Sequence, residues 1–325
     1  MVGALYPVLP FAGVGVRRAI PPVPGHEPAT GDAPGPLHRT AVQQGRDGLL
    51  KGRITVHSRV SVNPMCLISL PFVQELAALK RLEVQRAGLV TRRLAATGWK
   101  QALEIVAHTG IEVPYLVHGV YTPVDRPEAW KDETELLLPA IDAAAALGAR
   151  FIYLTTGPPG SLRWEEAADA FGERLAPVLD RGREVGVELA LENATSLRTD
   201  LSFVHTLRDT TRLARRFGQG VCMDLYCCWV EPELQQTVAD NLDLIRLVQV
   251  SDFVIGTLDQ PNRAVPGDGD LPLVRLLGDV IDTGYSGLMD IELLGPRIDA
   301  EGNEAALRRA IDWLSSTLYS LGVED

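Results

Sequence analysis

Lysine is scarce in this chain of 325 residues, which has four lysines, at positions 51, 80, 100 and 131. A Schiff-base aldolase needs a lysine at the end of a buried strand, and none of these four is predicted to lie in such a place. Histidine is scarce in the second half, where His205 is the only one after His118. This argues against a histidine-rich site with several zinc ions. No Gly-x-Ser-x-Gly motif is present, so the usual signal of a serine hydrolase is missing.

Positive charge is also deficient, since 42 acidic residues outnumber 31 basic residues and give a formal charge of −11. A phosphate backbone would be repelled by this excess, so no nucleic-acid partner is expected. No run approaches the ~18 uninterrupted apolar residues of a membrane span, so no membrane partner is expected. Four cysteines, three of them within seven residues, do not resemble a disulfide framework, and they favour a reducing cytoplasm as the location.

The sequence divides into an N-terminal tail and one large folded unit. Residues 1–52 contain eight prolines before position 37, many glycines and no sustained periodicity, which predicts an irregular segment. Residues 53–325 alternate short apolar runs with amphipathic stretches, in units of about 30 residues. A single α/β barrel takes about 250 residues, so one domain explains this repeat better than two.

Eight strand-then-helix units can be placed along residues 53–325. The predicted strands are 60–63, a weakly defined segment within 83–90, 113–119, 151–157, 187–193, 221–224, 245–252 and 288–292. The predicted helices span about 72–82, 98–109, 136–147, 168–186, 201–217, 231–241, 270–283 (with Asp270 as N-cap) and 307–318. Such a series of parallel crossovers predicts a single (β/α)8 TIM barrel. An open doubly wound sheet usually has a glycine-rich loop after its first strand, and residues 60–69 contain no glycine.

An oxygen-bearing side chain stands near the end of each of four consecutive predicted strands. These side chains are Glu192, Asp224, Gln249 and Glu292. The C-terminal strand ends of a barrel share one rim, so we expect the four groups to converge there. A single carboxylate at such a place is more often salt-bridged or part of a loop cap, but several in an apolar barrel mouth need a compensating cation. The pattern therefore predicts one divalent metal ion, with Mn²⁺ or Mg²⁺ favoured by hard oxygen donors and Zn²⁺ or Co²⁺ as alternatives.

A second set of residues is predicted to bind substrate. Its members are His118, Arg263, Tyr226 and Asp252. His118 ends the third strand and would contact substrate or shuttle a proton, with a hydrogen-bonded structural role as the alternative. Arg263 would bind an anionic or hydroxyl-rich substrate, unless it is a surface arginine braced by Asp268. Tyr226 would form an apolar or stacking wall, with core packing as the alternative. Asp252 would support the ligands, and Cys227 is interpreted as a packing residue.

The order Glu, Asp, a third ligand and Glu on strands five to eight resembles the xylose isomerase-like TIM barrel superfamily. The loop Arg263-Ala-Val-Pro-Gly-Asp-Gly-Asp after strand seven is similar as well, and the resemblance covers residues 56–318. That superfamily includes sugar and sugar-phosphate isomerases and epimerases, inosose dehydratases, hydroxypyruvate isomerases and endonuclease IV. The resemblance implies a small-molecule substrate and metal ligation by Glu192, Asp224, Gln249 and Glu292. It also implies that Glu192 and Glu292 remove and return a proton on opposite faces of the substrate.

Two positions differ from many members of that superfamily. Gln249 stands where many have a histidine ligand, and Cys227 stands where many have a histidine that touches substrate. The expected activity is isomerisation or epimerisation of a sugar, sugar phosphate or related hydroxy-carbonyl compound through a metal-stabilised enediolate. A dehydratase, lyase or cyclase on the same barrel and a barrel that only binds a ligand stay open as alternatives, as does a homo-oligomer.

Overall fold

The computed structural model describes residues 55–325, and the tail predicted at residues 1–52 lies outside them. In this described part, eight parallel strands form one sheet. The strands are β1 Val60–Val62, β2 Leu89–Val90, β3 Tyr115–His118, β4 Phe151–Leu154, β5 Glu188–Glu192, β6 Gly220–Asp224, β7 Ile245–Val250 and β8 Leu288–Ile291. Consecutive strands pair from β2 to β8, and β8 pairs with β1. The ring closes where Val62 N donates to Arg86 O at 3.0 Å and Gly88 N donates to Val62 O at 3.1 Å. The predicted (β/α)8 barrel is confirmed.

Helices surround the ring of strands. Their bounds are α1 Phe72–Arg81, α2 Thr91–Thr97, α3 Trp99–Ala107, α4 Trp130–Leu147, α5 Trp164–Val185, α6 Leu207–Phe217, α7 Leu225–Cys228, α8 Leu234–Asp240, α9 Leu273–Asp282, α10 Pro296–Glu301 and α11 Asn303–Ser320. Helices α4, α5 and α6 each end at a glycine in the left-handed region, at Gly148, Gly186 and Gly218. No helix in the described residues is both long enough and apolar enough to cross a membrane.

The inside of the ring is packed by a small apolar cluster. Its buried members are Tyr115, Val117, Phe151, Tyr153, Ala190, Cys222 and Leu247. Successive strand residues point to opposite faces of the sheet, so the residue two places after each inner residue also faces inward. On β5, β6 and β7 these next inner residues are Glu192, Asp224 and Gln249. The apolar cluster thus fills the centre of the barrel and leaves the strand ends to polar side chains.

Several predicted helix starts are wrong, for local reasons. The helix predicted from residue 201 begins at Leu207, because the hydroxyl of Thr206 accepts from Asp209 N at 3.0 Å and caps it there. Asp270 does not cap α9, because its carboxylate accepts from Ile255 N at 2.9 Å instead. The helix predicted at 98–109 begins at residue 99 and is preceded by the unpredicted helix α2.

Candidate active site

Three carboxylates meet at the C-terminal end of the barrel. Glu192 is the last residue of β5, Asp224 is the last residue of β6, and Glu292 directly follows β8. One ligand oxygen from each of them lies within 4.8 Å of the others. The structure therefore brings these three predicted residues together, and their roles in metal binding and catalysis stay predictions.

Gln249, the fourth predicted ligand, pairs in register with Asp224 on β6 and with Asp290 on β8. Its Nε2 donates to the hydroxyl of Tyr153 at 3.1 Å. Its Oε1 has no hydrogen-bond partner among the described residues, 55–325, although the side chain is fully buried. A buried acceptor without a partner costs about 1–3 kcal/mol. This oxygen is thus free to accept from a ligand or to bind a cation.

The hydroxyl of Tyr153 belongs to a buried hydrogen-bond network. The hydroxyl of Tyr153 accepts from Asn63 Nδ2 at 2.7 Å, and the same nitrogen donates to Asp290 Oδ2 at 3.0 Å. Asp290 Oδ1 also accepts from Tyr115 at 2.6 Å and from Ser61 at 2.5 Å. Burial raises the pKa of Asp290 to about 6, although these hydrogen bonds lower it. Sequence reasoning missed Asp290; the signal was its position two residues before Glu292, on the same face of β8.

Arg263 supplies the positive charge of the cluster. Its Nη2 lies 2.7 Å from Asp224 Oδ2 and 2.8 Å from Glu292 Oε2, and its Nη1 donates to Ser251 Oγ at 2.8 Å. The ring of Tyr226 covers the guanidinium, with 4.5 Å between Arg263 Cζ and the ring centroid. Only 8% of Arg263 is exposed. Two of the predicted substrate-binding residues, Arg263 and Tyr226, therefore lie against the carboxylates.

The alternative for Arg263, a surface arginine braced by Asp268, is wrong. Asp268 instead pairs with Arg309 on α11. The cause is the path of the loop after β7, which buries Arg263 against the barrel mouth and leaves Asp268 exposed near the outer helix.

Asp252 shapes the loop that carries Arg263. Its carboxylate accepts from four backbone amides, those of Gly267 at 2.9 Å, Gly269 at 3.0 Å, Leu271 at 3.0 Å and Phe253 at 2.8 Å. A Cβ atom at Gly269 would lie 2.2 Å from Asp252 Oδ1, which explains the glycine at this position of the loop. Asp252 was predicted to bind substrate. Because its carboxylate accepts from these four backbone amides, the geometry favours a role in holding the loop and not a contact with substrate.

We expect Gly269→Ala to lower the free energy of unfolding by about 1–3 kcal/mol, because the added methyl group overlaps the Asp252 carboxylate. Gly278→Ala on α9 is the matched control, since the nearest atom to its added Cβ is Leu321 Cδ2 at 3.8 Å. The control should be neutral or slightly stabilising, because alanine favours a helix over glycine. Urea unfolding followed by circular dichroism measures both. Equal stability of the two variants would contradict the role given to Asp252.

The hydrogen-bond partners of His118 lie outside the cluster of Glu192, Asp224 and Glu292. Its Nδ1 is 2.8 Å from Thr91 Oγ1, and its Nε2 is 3.0 Å from Glu133 Oε2. Burial lowers the pKa of His118, although Glu133 raises it. Both ring nitrogens are engaged within the protein, which leaves none for a substrate. The substrate-binding role of His118 stays a prediction, and the geometry favours the structural alternative.

Cys227 lies beside the carboxylates, although the sequence was interpreted as giving it a packing role at a position where many proteins of the resembled superfamily have a substrate-touching histidine. Asp224 caps the short helix α7 by accepting from Tyr226 N at 3.0 Å, and this turn brings Cys227 back towards the cap. The thiol of Cys227 donates to Asp224 Oδ2 at 2.9 Å. The position three residues after Asp224 was the available signal, because residues three apart share one face of a helical turn.

Negative charge exceeds positive charge at the cluster. Burial and the charges of Glu292 and Asp224 raise the pKa of Glu192 well above its ordinary range. Burial raises the pKa of Glu292 to about 7, although Arg263 lowers it. No basic side chain among residues 55–325 pairs with Glu192. One guanidinium therefore faces three carboxylates, and a further cation would reduce the repulsion between them.

The chain is similar to known proteins across the barrel. A family model described as xylose isomerase-like TIM barrel matches residues 79–317. The chain is 25% identical over 175 residues to the fructoselysine 3-epimerase of Shigella flexneri, and the match covers 50% of this chain and 59% of that protein. This is less than two thirds of the relative's length.

Two solved structures show the same fold. The crystal structure of protein SMc04130 from Sinorhizobium meliloti 1021 has a TM-score of 0.71 and 22% identity, and the match covers 81% of this chain and 98% of that chain. The IOLI protein, crystallised with a zinc atom, has a TM-score of 0.68 and 17% identity, with 81% and 98% covered. At these identities the likeness shows the fold alone.

Proposed function

Because this chain belongs to the xylose isomerase-like TIM barrel family, we propose that it is a metal-dependent isomerase or epimerase of a sugar or related hydroxy-carbonyl compound. The observation that carries this proposal is the cluster of Glu192, Asp224 and Glu292, with ligand oxygens within 4.8 Å of one another. The similarity to a fructoselysine 3-epimerase supports the same type of reaction.

The donor set fits a divalent cation. Glu192, Asp224 and Glu292 would hold it through carboxylate oxygens, and Gln249 would hold it through Oε1, the buried oxygen that has no hydrogen-bond partner. Four oxygen donors favour Mn²⁺ or Mg²⁺, while Zn²⁺ or Co²⁺ stays an alternative and the IOLI protein contains zinc. When bound, the cation polarises the substrate carbonyl and stabilises the negative charge that develops as a proton leaves.

The carboxylates of the chain move the proton. Glu192 has no arginine partner among residues 55–325, and burial with the charges of Glu292 and Asp224 raises its pKa, which makes it a stronger base than an ordinary carboxylate and suits a group that takes up a proton. Glu292, with a pKa of about 7, is the second such group. The two side chains extend from β5 and β8, which are separated by two strands, so they reach a substrate from different sides. Return of the proton to the opposite face gives epimerisation, and return to the neighbouring carbon gives isomerisation.

A dehydratase or cyclase is the second candidate. It is favoured by Cys227, whose thiol stands beside Asp224, and by the aromatic ring of Tyr226 over Arg263, which together make this side of the site less polar. Loss of a hydroxyl group from the carbon next to the enediolate would give dehydration from the same proton abstraction.

Solvent isotope exchange tests the proposal. The protein is loaded in turn with Mn²⁺, Mg²⁺, Co²⁺ and Zn²⁺, incubated with a panel of ketoses and aldoses in D2O, and the sugars are examined by NMR. An isomerase or epimerase incorporates deuterium at a carbon next to the carbonyl and forms a new isomer. A product that has lost water indicates the dehydratase. Absence of exchange and product with every ion and sugar would favour a barrel that only binds a ligand.

We expect the affinity for Mn²⁺ to rise as the pH increases between about 5 and 8, because the cation competes with protons for the carboxylates. The pKa of Glu292 is raised to about 7, so this group is largely protonated below that pH. Folding favours the protonated form of Glu292, so the metal-free fold is more stable at acidic pH. This stability is lost as the pH rises through 7 and Glu292 ionises. Titration calorimetry in buffers of different ionisation enthalpy counts the released protons. An affinity that does not change with pH would contradict the carboxylate site.

We expect Tyr153→Phe to weaken Mn²⁺ binding by about tenfold, because a hydrogen-bonded partner fixes the orientation of a metal ligand. The hydroxyl that would be removed accepts from Gln249 Nε2 at 3.1 Å. Tyr115→Phe is the matched control, since its hydroxyl donates to Asp290 and does not touch Gln249. The control should lose stability and keep its metal affinity. Equal metal affinities in the two variants would remove Gln249 from the ligand set.

A further inference from the structure

A cleft of about 310 Å³ opens beside the carboxylate cluster, between the loops that follow β5, β6 and β7. It shares two lining residues, Tyr226 and Cys227, with the candidate site. The ring of Tyr226 covers Arg263, and the thiol of Cys227 donates to Asp224 at 2.9 Å. A group attached to a substrate at the carboxylates would therefore lie next to this cleft.

The lining is rich in aromatic and aliphatic side chains. Tyr226, Trp229 and Phe253 contribute rings, and Tyr226 packs edge to face against Phe253 with 5.4 Å between ring centroids. Leu197 and Val230 lie at the edge and are 53% and 67% exposed. Large apolar side chains left exposed around a concave surface are typical of a binding site for an apolar group.

Several polar side chains of the lining are already hydrogen-bonded within the protein. Gln260 exchanges hydrogen bonds with the Tyr226 hydroxyl, at 2.8 Å from Nε2 and 3.0 Å from Oε1. Nδ1 of His205 lies 3.1 Å from the carbonyl oxygen of Ala194. A ligand with many hydroxyl groups would have to break such bonds, whereas an apolar group would leave them intact.

The cleft is also unsuited to a phosphate group. No lysine or arginine stands among the lining residues that the structure describes. The first amides of α6, which could otherwise bind an anion, are already capped: Leu207 N donates to Glu231 Oε1 at 2.7 Å, and Asp209 N donates to Thr206 Oγ1 at 3.0 Å. Glu231 places a carboxylate in the lining, which would repel a phosphate.

We propose that the substrate is an unphosphorylated sugar or related hydroxy-carbonyl compound that carries an apolar substituent, best an aromatic ring, and that this cleft binds the substituent. This inference rests on the proposed function, because the hydroxy-carbonyl part must lie at the carboxylates. Trp229 and the exposed side chain of Val230 provide the contact surface for the ring. Within the range expected from the sequence, this proposal favours an unphosphorylated sugar over a sugar phosphate.

Matched ketose ethers test this inference, because they keep the free ketone that the carboxylate site requires. The Mg²⁺-loaded protein is titrated calorimetrically with the 1-O-phenyl and 1-O-methyl ethers of fructose and tagatose, and with fructose and fructose 6-phosphate. We expect a phenyl ether to bind at least about tenfold more tightly than its methyl counterpart, and fructose 6-phosphate to bind no more tightly than fructose. Equal affinities within each pair, tighter binding of the phosphate, or absence of phenyl ether binding up to about 10 mM would overturn the inference.

Two exposed valines provide a control within the chain. Val230→Ser in the cleft should lower the phenyl preference, whereas Val274→Ser on α9, at a residue that is 51% exposed and outside the lining, should not. Trp229→Ala should reduce the preference and Trp229→Phe should restore most of it. An equal effect of the two valine substitutions would overturn the assignment to this cleft. Isotope exchange without phenyl preference would overturn this inference alone, and phenyl preference without exchange would contradict the proposed function alone.

Discussion

Glu192→Gln should reduce solvent deuterium exchange by about a hundred- to ten-thousandfold, the contribution of a positioned general base. The same substitution should stabilise the metal-free protein at pH values above neutrality. Burial and the charges of Glu292 and Asp224 raise the pKa of Glu192, so its ionised form destabilises the fold and a neutral amide of the same shape does not. Loss of activity together with a gain in stability is a result that general unfolding cannot produce. Exchange is followed by NMR and stability by urea unfolding in the presence of a chelator.

Glu188→Gln is the control for this prediction. Glu188 lies at the other end of β5 and pairs with Arg246, with 2.5 Å between Oε2 and Nε. The half-exposed pair is far along the strand from the cluster, so exchange should stay at the wild-type rate. If Glu192→Gln keeps its exchange rate, Glu192 is not the base, and Glu292 is left as the candidate for that role.

Arg263→Met should lower the free energy of unfolding of the metal-free protein by about 3–5 kcal/mol, the cost of removing one partner from a buried ion pair. The substitution leaves Asp224 and Glu292 without the guanidinium that now contacts both of them, at 2.7 and 2.8 Å. Added Mn²⁺ should recover much of this loss, because a bound cation supplies positive charge to the same oxygens. The measurement is chemical unfolding with a chelator and then with Mn²⁺.

Arg309→Met is the matched control for Arg263→Met. Arg309 pairs with Asp268 and Glu301 at the surface, where its side chain is 46% exposed. An exposed pair contributes at most about 1 kcal/mol, so the control should be nearly as stable as the wild type with or without metal. A loss in Arg263→Met that Mn²⁺ does not reduce would show that Arg263 and the cation do not share these carboxylates.

Strand periodicity made much of the site predictable. Ala190, Cys222 and Leu247 face the inside of the ring, and the residues two places later carry the oxygen donors, so short apolar runs with a polar end were sufficient to predict Glu192, Asp224 and Gln249. The glycines that end α4, α5 and α6 were recognisable for a similar reason, because a left-handed residue after an amphipathic stretch is a local signal.

Contacts between distant segments were not predictable in the same way. Arg263 reaches Asp224 across 39 residues, and no local pattern separates this buried arginine from a surface one. The pairing of His118 with Thr91 and Glu133 depends on how three separate elements pack. Aspartate commonly caps a helix, yet the carboxylate of Asp270 accepts a hydrogen bond from the backbone amide of Ile255, earlier in the same loop. In each case tertiary packing decided among partners that were equally suitable in the sequence.

The central claim is that Glu192, Asp224, Gln249 and Glu292 hold one divalent cation. Its most direct test is the metal content of the purified protein after reconstitution and removal of free ions, measured by inductively coupled plasma mass spectrometry beside Asp224→Asn and Glu292→Gln. We expect about one ion per chain in the wild type and a marked loss in both variants. A wild-type protein that stays free of metal after exposure to Mn²⁺, Mg²⁺, Co²⁺ and Zn²⁺ would contradict the claim, and so would variants that retain the wild-type content.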